Sequence, residues 1–571
     1  MSMAAFRSKI IKSVRLLKPD TLVLVAMTAW WMLNLLQAAL TGLANDEAYY
    51  WYFAQHLDWG YFDHPPMVAL LVWLSAWAPG ILGIRFFCVL LQPLYLLLFW
   101  HIIRPQHPSY RDALLYSLIC FSMPMLQLYG FLAVPDAPLL MTIALFLWAF
   151  KRFSEKDTGA NAILLAVSVA LMGYSKYHGA LVVAFAVLAN PRMLKSMNLW
   201  KAGIMCVVLL LPHLLWQQNH GWPTVRYHLM ERNRAYEVQY TLEYLLNLLL
   251  VFNPLWVYHY VRGCSGIIRR LKSLSPFQRA LLAIGIGFPL FFLFSTLRGH
   301  TQPQWLLPAV FPLIALLLTM TRSSERTARY VRGVGVASLV LFLIVRVIVV
   351  TNPLHLKGEI WDNEASYASI AEVAGSRPVQ FMHDYAHAAK YEYYTGKQAI
   401  AAPYYFRRHS QWQFDTTDRA FAHRSVVVGN FTNRQAESVE LANGMTFHYT
   451  VFDDFLPMRQ LVVEPESVTT VDTDSIDVLL AVYNPCDCDF FTSEEHRMRV
   501  IMYFCLGDRN MPCTNCFLSD TLYAHDTTIL NCRMSLPESV TSGKHLCGFC
   551  LGIDGFAPSD NAQLQSFDIV R

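Results

Sequence analysis

About eleven apolar runs, separated by loops rich in lysine and arginine, constrain this chain more than any other feature of its sequence. Most approach the roughly 20 residues that a helix needs to cross a bilayer. They cover 21–41, 83–101, 111–131, 138–151, 160–174, 178–190, 201–217, 243–261, 280–297, 305–321 and 333–351. With 55% hydrophobic and only 15% charged residues, the chain suits lipid as the solvent for much of its length. Its net charge of +4 is too small to point to nucleic acid, and no dense basic run appears.

The basic residues set the orientation. Arg7, Lys9, Lys12, Arg15 and Lys18 precede the first run. That run is too long for a signal-peptide core, and no small-residue cleavage site follows it. It therefore reads as a first span with its basic end in the cytoplasm. Five further positive loops carry Arg104 and Arg111, Lys151 and Arg152, Arg192 with Lys195 and Lys201, Arg262 to Lys272, and Arg322 to Arg332. All of them face the cytoplasm only if the short apolar stretch 67–78 does not cross. It is then a juxtamembrane helix on the outer face. An odd number of spans puts everything after residue 351 outside, in the periplasm of an inner-membrane protein. The expected division is a transmembrane domain over 1–351, an α/β domain over 352–463 and a Cys-rich β domain over 464–571.

Within the tail, strand patterns at 378–382, 424–428 and 445–452 flank a helical stretch near 385–394. Further strands are expected at 476–483 and 497–505. Eight of the 12 cysteines crowd here: Cys486, Cys488, Cys505, Cys513, Cys516, Cys532, Cys547 and Cys550. Outside the membrane, disulfides are the expected state. The pairs Cys513/Cys516 and Cys547/Cys550 leave zinc as the competing reading, although their gap exceeds the usual ribbon spacing.

The same parity argument gathers the polar outliers on the outer side. Asn45-Asp46-Glu47 follows the first span, and Asp63-His64, Asp136, Lys176, the loop from His220 to Arg234 and the segment from Arg298 to Gln304 join it. Loops are polar in any case, and each acid also has a structural use. Asp46 suits the N-terminus of a following helix, Asp63 a turn before two prolines, and Asp136 another helix entry. Lys176 interrupts apolar sequence and would snorkel if it did nothing else.

The motifs occur in a telling order: Asp46-Glu47-Ala48-Tyr49-Tyr50-Trp51, then Gly60-Tyr61-Phe62-Asp63-His64-Pro65-Pro66-Met67, then Pro135-Asp136-Ala137-Pro138-Leu139, then Ser175-Lys176-Tyr177. This series resembles the bacterial membrane glycosyltransferases related to protein O-mannosyltransferases and to the aminoarabinose transferase of lipid A. The resemblance covers residues 20–320 and, more loosely, the α/β part of the tail. It implies a polytopic α-helical membrane protein of the C-type glycosyltransferase (GT-C) architecture, using a sugar carried on undecaprenyl or dolichyl phosphate and inverting its anomeric centre.

Residue by residue, the resemblance implies Asp46 as general base, with Glu47 in support and Asp136 as a further acid of the site. Lys176, Arg232, Arg234, His64 and Arg298 become candidates for binding the donor phosphate. Asp63 and His228 are the candidate ligands of a divalent metal ion. At Asp63-His64 the family's aminoarabinose transferase carries Glu-Lys, so metal use is where this chain departs from the pattern. The expected partners are the lipid-linked sugar donor, membrane lipid and a glycan, lipid or protein acceptor of the cell envelope, without nucleic acid. The competing class is a transporter or flippase of lipid-linked glycans, which predicts acids deep in mid-helix and internal repeats. No repeat is visible.

Overall fold

The structure, a computed structural model, describes residues 18–228, 235–402, 409–429, 436–493, 497–506, 509–554, 558–562 and 564–570. It divides into two compact units: one holds the helices between Pro19 and Thr351 except the stretch Leu43–Tyr49, and the other holds Leu43–Tyr49 with the chain from Lys357 on.

Among the described residues of the first unit, seven helices are long and apolar enough to cross a membrane: Pro19–Leu40, Leu82–Ile103, Asp136–Glu155, Met197–Asn219, Pro276–Arg298, Pro303–Ser323 and Glu325–Thr351. An eighth candidate, Val238–Phe252 with Pro254–Ile268, is bent by 82°. The bend falls at Asn253-Pro254, where proline removes a backbone donor and pushes the preceding residue out of helical geometry. The same chemistry divides the run at 111–131, which becomes Tyr110–Phe121 and Pro124–Tyr129. The runs around Lys176 form the shorter helices Gly159–Ser175 and Gly179–Leu188. Met67–Ser75 has nine residues, about 14 Å of helix, too little to cross.

Two arginines that the sequence reading passed over hold this bundle together. Arg85 is fully buried and donates to the carbonyls of Ala38, Thr41 and Gly42 at 2.7, 2.7 and 2.9 Å. These are orphan acceptors at the end of the first long helix, which a cation satisfies best. Arg346 donates to Asn34 Oδ1 at 2.7 Å and to the backbone carbonyl of Gln127 at 3.0 Å. Asn34 in turn donates to Gln92. We expect Arg85→Ala to cost about 3 kcal/mol or more, since two buried carbonyls and a half-buried one lose their donor together. A thermal melt of the detergent-purified variant checks this; an unchanged midpoint contradicts it.

The second unit begins with a five-stranded sheet built from β1 (Val379–Met382), β2 (Ala399–Ala402), β3 (Val426–Gly429), β4 (Glu437–Glu440) and β5 (Thr446–Phe452), in the order β2-β1-β3-β5-β4. Strand β1 runs parallel to β2 and β3, and β5 is antiparallel to both its neighbours. Helices Asn363–Ala374 and Tyr385–Thr395 accompany this sheet. A β-sandwich follows. Its three-stranded sheet pairs β6 (Val462–Thr470), β7 (Ser475–Tyr483) and β11 (Thr527–Ser535). Its six-stranded sheet is built on β8 (Met498–Leu506) and β12 (Gly543–Ile553). Alternate residues of both sheets, such as Ile476, Val478 and Leu480 on β7 and Val500, Met502 and Phe504 on β8, fill one core.

None of the eight tail cysteines is disulfide-bonded. Cys547 and Cys550 lie three residues apart on β12 and so face opposite sides of the sheet, which keeps this pair from closing on one ion. Cys516 accepts a hydrogen bond from Cys532, which holds its thiol down to about 7, while the Cys532 thiol is driven up. Burial pushes Cys486 to about 12. Because the thiolate is the reacting species, Cys516 should alkylate at neutral pH at least about tenfold faster than the other seven. Mass-spectrometric mapping after brief maleimide treatment reads this directly; uniform labelling contradicts it.

Candidate active site

The acidic pair after the first span is divided in its duties. Helix Asn45–Gln55 opens at Ala44, and Glu47, fully buried, accepts from the Ala44 backbone N–H at 3.1 Å. This is the back-reaching half of a capping box. Glu47 therefore fills the capping role that the sequence reading weighed for Asp46, and the Asp46 carboxylate is left exposed.

Within the second unit, the short segment around Asp46 is fastened from several directions. The Tyr385 hydroxyl donates to Asp46 Oδ1 at 3.2 Å, and the rings of Tyr49 and Tyr385 meet at 4.5 Å. The Asn45 backbone N–H donates to Glu359 Oε2 at 3.1 Å, and the Leu43 N–H to the Tyr394 hydroxyl at 3.3 Å. Asn363 donates to the Leu43 carbonyl at 3.1 Å. The Gln411 backbone N–H donates to the Tyr49 hydroxyl at 2.5 Å. Lys390 is almost wholly buried and donates to the Glu359 carbonyl at 2.6 Å. Burial lowers its ammonium to about 8, against the opposing pull of Glu359, Glu47 and Asp384. None of these supports was singled out in sequence, because residues more than 300 positions away carry no local signature of the contact.

In the first unit, Lys176 Nζ meets both oxygens of Asp136, at 2.9 and 2.8 Å, and the two side chains are 7% and 3% exposed. The break between Gly159–Ser175 and Gly179–Leu188 sets the lysine there, and Asp136 opens the helix that follows Pro135. The two residues thus answer each other's charge inside the bundle.

A second cluster in this unit surrounds Tyr177. Its hydroxyl lies 3.0 Å from His213 Nε2 and accepts from Gln217 at 3.2 Å. Thr224 donates to the Phe62 carbonyl at 2.9 Å, and His213 Nδ1 lies 2.7 Å from the Trp59 carbonyl. The loop carrying Asp63 and His64 is thereby pinned to the end of Met197–Asn219. Gly60 permits the approach: a Cβ there would stand 2.5 Å from the Trp216 ring. Asp63 is buried, His64 Nε2 lies 3.1 Å from the Tyr50 hydroxyl, and the His228 ring contacts that of Tyr177 at 6.3 Å.

The remaining candidates are placed differently. Arg298 is exposed at the end of Thr296–Arg298, beside His300, which pairs with Glu243 at 3.2 Å. Arg232 and Arg234 lie outside the described residues. Among the described residues, no three of His, Cys, Asp and Glu gather as a metal would require. Asp63 and His228 by themselves supply fewer donors than a divalent ion takes.

Residues 63–216, the part of the chain that contains Asp63, Asp136, Lys176 and His213, match the family described as dolichyl-phosphate-mannose-protein mannosyltransferase. The chain is also similar to the crystal structures of ArnT from Cupriavidus metallidurans. With apo ArnT it shares 11% identity at a TM-score of 0.54, over 75% of this chain and 97% of that one. For ArnT bound to undecaprenyl phosphate the figures are 14% and 0.51, over the same shares. The fold is thus that of ArnT, in keeping with the polytopic GT-C-like architecture expected from the sequence. The chain is further similar to the lipid A galacturonosyltransferase RgtD of Rhizobium johnstonii, 27% identical over 208 residues. That alignment takes in 34% of this chain and 43% of RgtD, so it spans less than half of the relative's length.

Proposed function

We propose that this protein is an inverting glycosyltransferase that moves a sugar from a polyprenyl-phosphate carrier to a hydroxyl acceptor at the outer face of the cytoplasmic membrane. The observation that carries the reading is Asp46: in a GT-C fold, an exposed carboxylate follows the first long helix, relieved of capping by Glu47 and steadied by the Tyr385 hydroxyl.

In the proposed reaction the acceptor oxygen attacks the anomeric carbon on the face opposite the phosphate. The bond from that carbon to the phosphate oxygen breaks, the polyprenyl phosphate leaves with the electron pair, and Asp46 takes the acceptor's proton. Developing charge on the leaving phosphate calls for cations, for which Lys176, Arg232 and Arg234 are the proposed sources, with His64 and Arg298 in reserve. Asp136 holds the Lys176 amine in place until phosphate competes for it. ArnT was crystallised with undecaprenyl phosphate, which supports that class of carrier here. The similarity to a lipid A galacturonosyltransferase makes lipid A the first acceptor to try.

The experiment is incubation of the purified protein with labelled polyprenyl-phosphate sugars and lipid A. Release of sugar-free polyprenyl phosphate matched by labelled acceptor supports the reading. Movement of intact lipid-linked sugar across a vesicle, with no bond broken, would establish the flippase alternative instead. Tyr385→Phe should lower kcat about tenfold with little change in KM, which steady-state kinetics of the purified variant check. The ring contact with Tyr49 survives the change, so a merely structural role predicts an unchanged kcat.

A further inference from the structure

The first unit holds a cavity of about 1290 Å³ bordered by Val257–Ile268, Pro276–Ser295, Val310–Ser323 and Glu325–Thr351. Among the described residues its lining includes four arginines, Arg262, Arg269, Arg270 and Arg326, and no acidic residue. Acids do stand nearby in sequence and fold, but they are engaged elsewhere: Asp112 with Arg322 and Glu325 with Arg111. The cavity therefore concentrates positive charge that no lining carboxylate offsets.

The cations and the apolar lining come from different parts of the helices. Arg269 and Arg270 follow the last turn of Val257–Ile268, and Arg326 occupies the first turn of Glu325–Thr351. Leu281, Pro312 and Leu316 come instead from inside Pro276–Ser295 and Val310–Ser323, which belong to membrane-crossing candidates. Arg262 is further oriented by donating to the Tyr258 hydroxyl at 3.1 Å. Charge at helix ends beside apolar surface from helix interiors matches a molecule with an anionic head and hydrocarbon tails.

We propose that this cavity binds an anionic glycerophospholipid, its phosphate held by Arg262, Arg269, Arg270 and Arg326 and its acyl chains lying along Leu281 and Leu316. The pocket uses no residue assigned above to sugar transfer. Guanidinium groups suit the task because their planar donors engage phosphate oxygens in pairs.

The test uses the full-length protein in nanodiscs of phosphatidylcholine, titrated with phosphatidylglycerol and followed by native mass spectrometry. Phosphatidylglycerol should bind the native protein, and R269Q/R270Q/R326Q should bind it at least about tenfold more weakly. Neutralising an equal number of cations outside the cavity, as R192Q/K195Q/K201Q, should leave binding unchanged. R326Q alone, which alters one exposed side chain, is measured beside the triple variant so that a folding defect does not decide the result. Equal binding by the cavity variants and the native protein overturns the proposal. So does an equal loss in both triple variants, which would reduce the effect to general surface attraction. Displacement of the bound lipid by polyprenyl phosphate at matched concentration would also overturn it, by reassigning the cavity to the donor.

Discussion

Asp46→Asn yields a protein that inserts, folds and transfers sugar about 10²- to 10⁴-fold more slowly than the native chain. The change is isosteric, and Asn keeps an oxygen that can accept from the Tyr385 hydroxyl. It removes the one property the mechanism needs, a charged oxygen able to take a proton. Because Asp46 is exposed and Glu47 does the capping, the substitution carries no stability cost beyond the few tenths of a kcal/mol typical of surface positions. Activity should therefore fall while the thermal midpoint stays fixed. Rates with labelled polyprenyl-phosphate donor, read beside a melt of the same preparation, give both numbers. Native-level transfer by the Asn variant would remove Asp46 from the chemistry and leave the reading without its base.

Removing either member of the Asp136–Lys176 pair should do the opposite, harming fold and function together. Both side chains are nearly excluded from solvent, and each satisfies the other through two short contacts. Lys176→Met abandons a buried carboxylate, a change that typically costs about 3–5 kcal/mol. The double variant D136L/K176M replaces both charges by apolar groups and should recover most of that stability. It should not recover transfer, since the amine proposed to meet the donor phosphate is gone. Melting temperatures for the single and double variants, with donor turnover alongside, separate the two roles. A double variant as unstable as the single one would show that the pair is not what steadies this part of the bundle. Recovered transfer would show that the lysine does not serve the phosphate.

Much of the architecture could be read before any coordinates because it follows from local pattern. The helix near Tyr385 and the strands at β1, β3, β5, β7 and β8 fall within about two residues of the alternation and periodicity expected for them. The short helix after Pro66 followed from charge bookkeeping between loops. What local pattern does not reveal is pairing across distance. Arg85 looks like any residue at the head of an apolar run until its three carbonyl partners are known. Asp136 and Lys176 were each recognisable as unusual, yet nothing in either motif says that they meet. For the two acids at 46 and 47 the sequence offered Asp46 as the cap and, by resemblance, as the base with Glu47 in support; the capping contact belongs to Glu47, and Asp46 meets the Tyr385 hydroxyl instead. Proline breaks fall in between. Pro124 and Pro254 were plainly visible, but the runs containing them were read as continuous spans, because hydropathy averages over a kink.

Leu43–Tyr49 belongs to the second unit although the helix it opens runs on into the first. A chain shortened to end at Leu356 would keep every long apolar helix yet discard Tyr385, Tyr394, Glu359, Asn363 and Gln411 at a stroke. On the proposed mechanism, removing the chain after Leu356 strips away the hydrogen bonds that steady the Asp46 segment, and the shortened protein is expected to insert without transferring sugar.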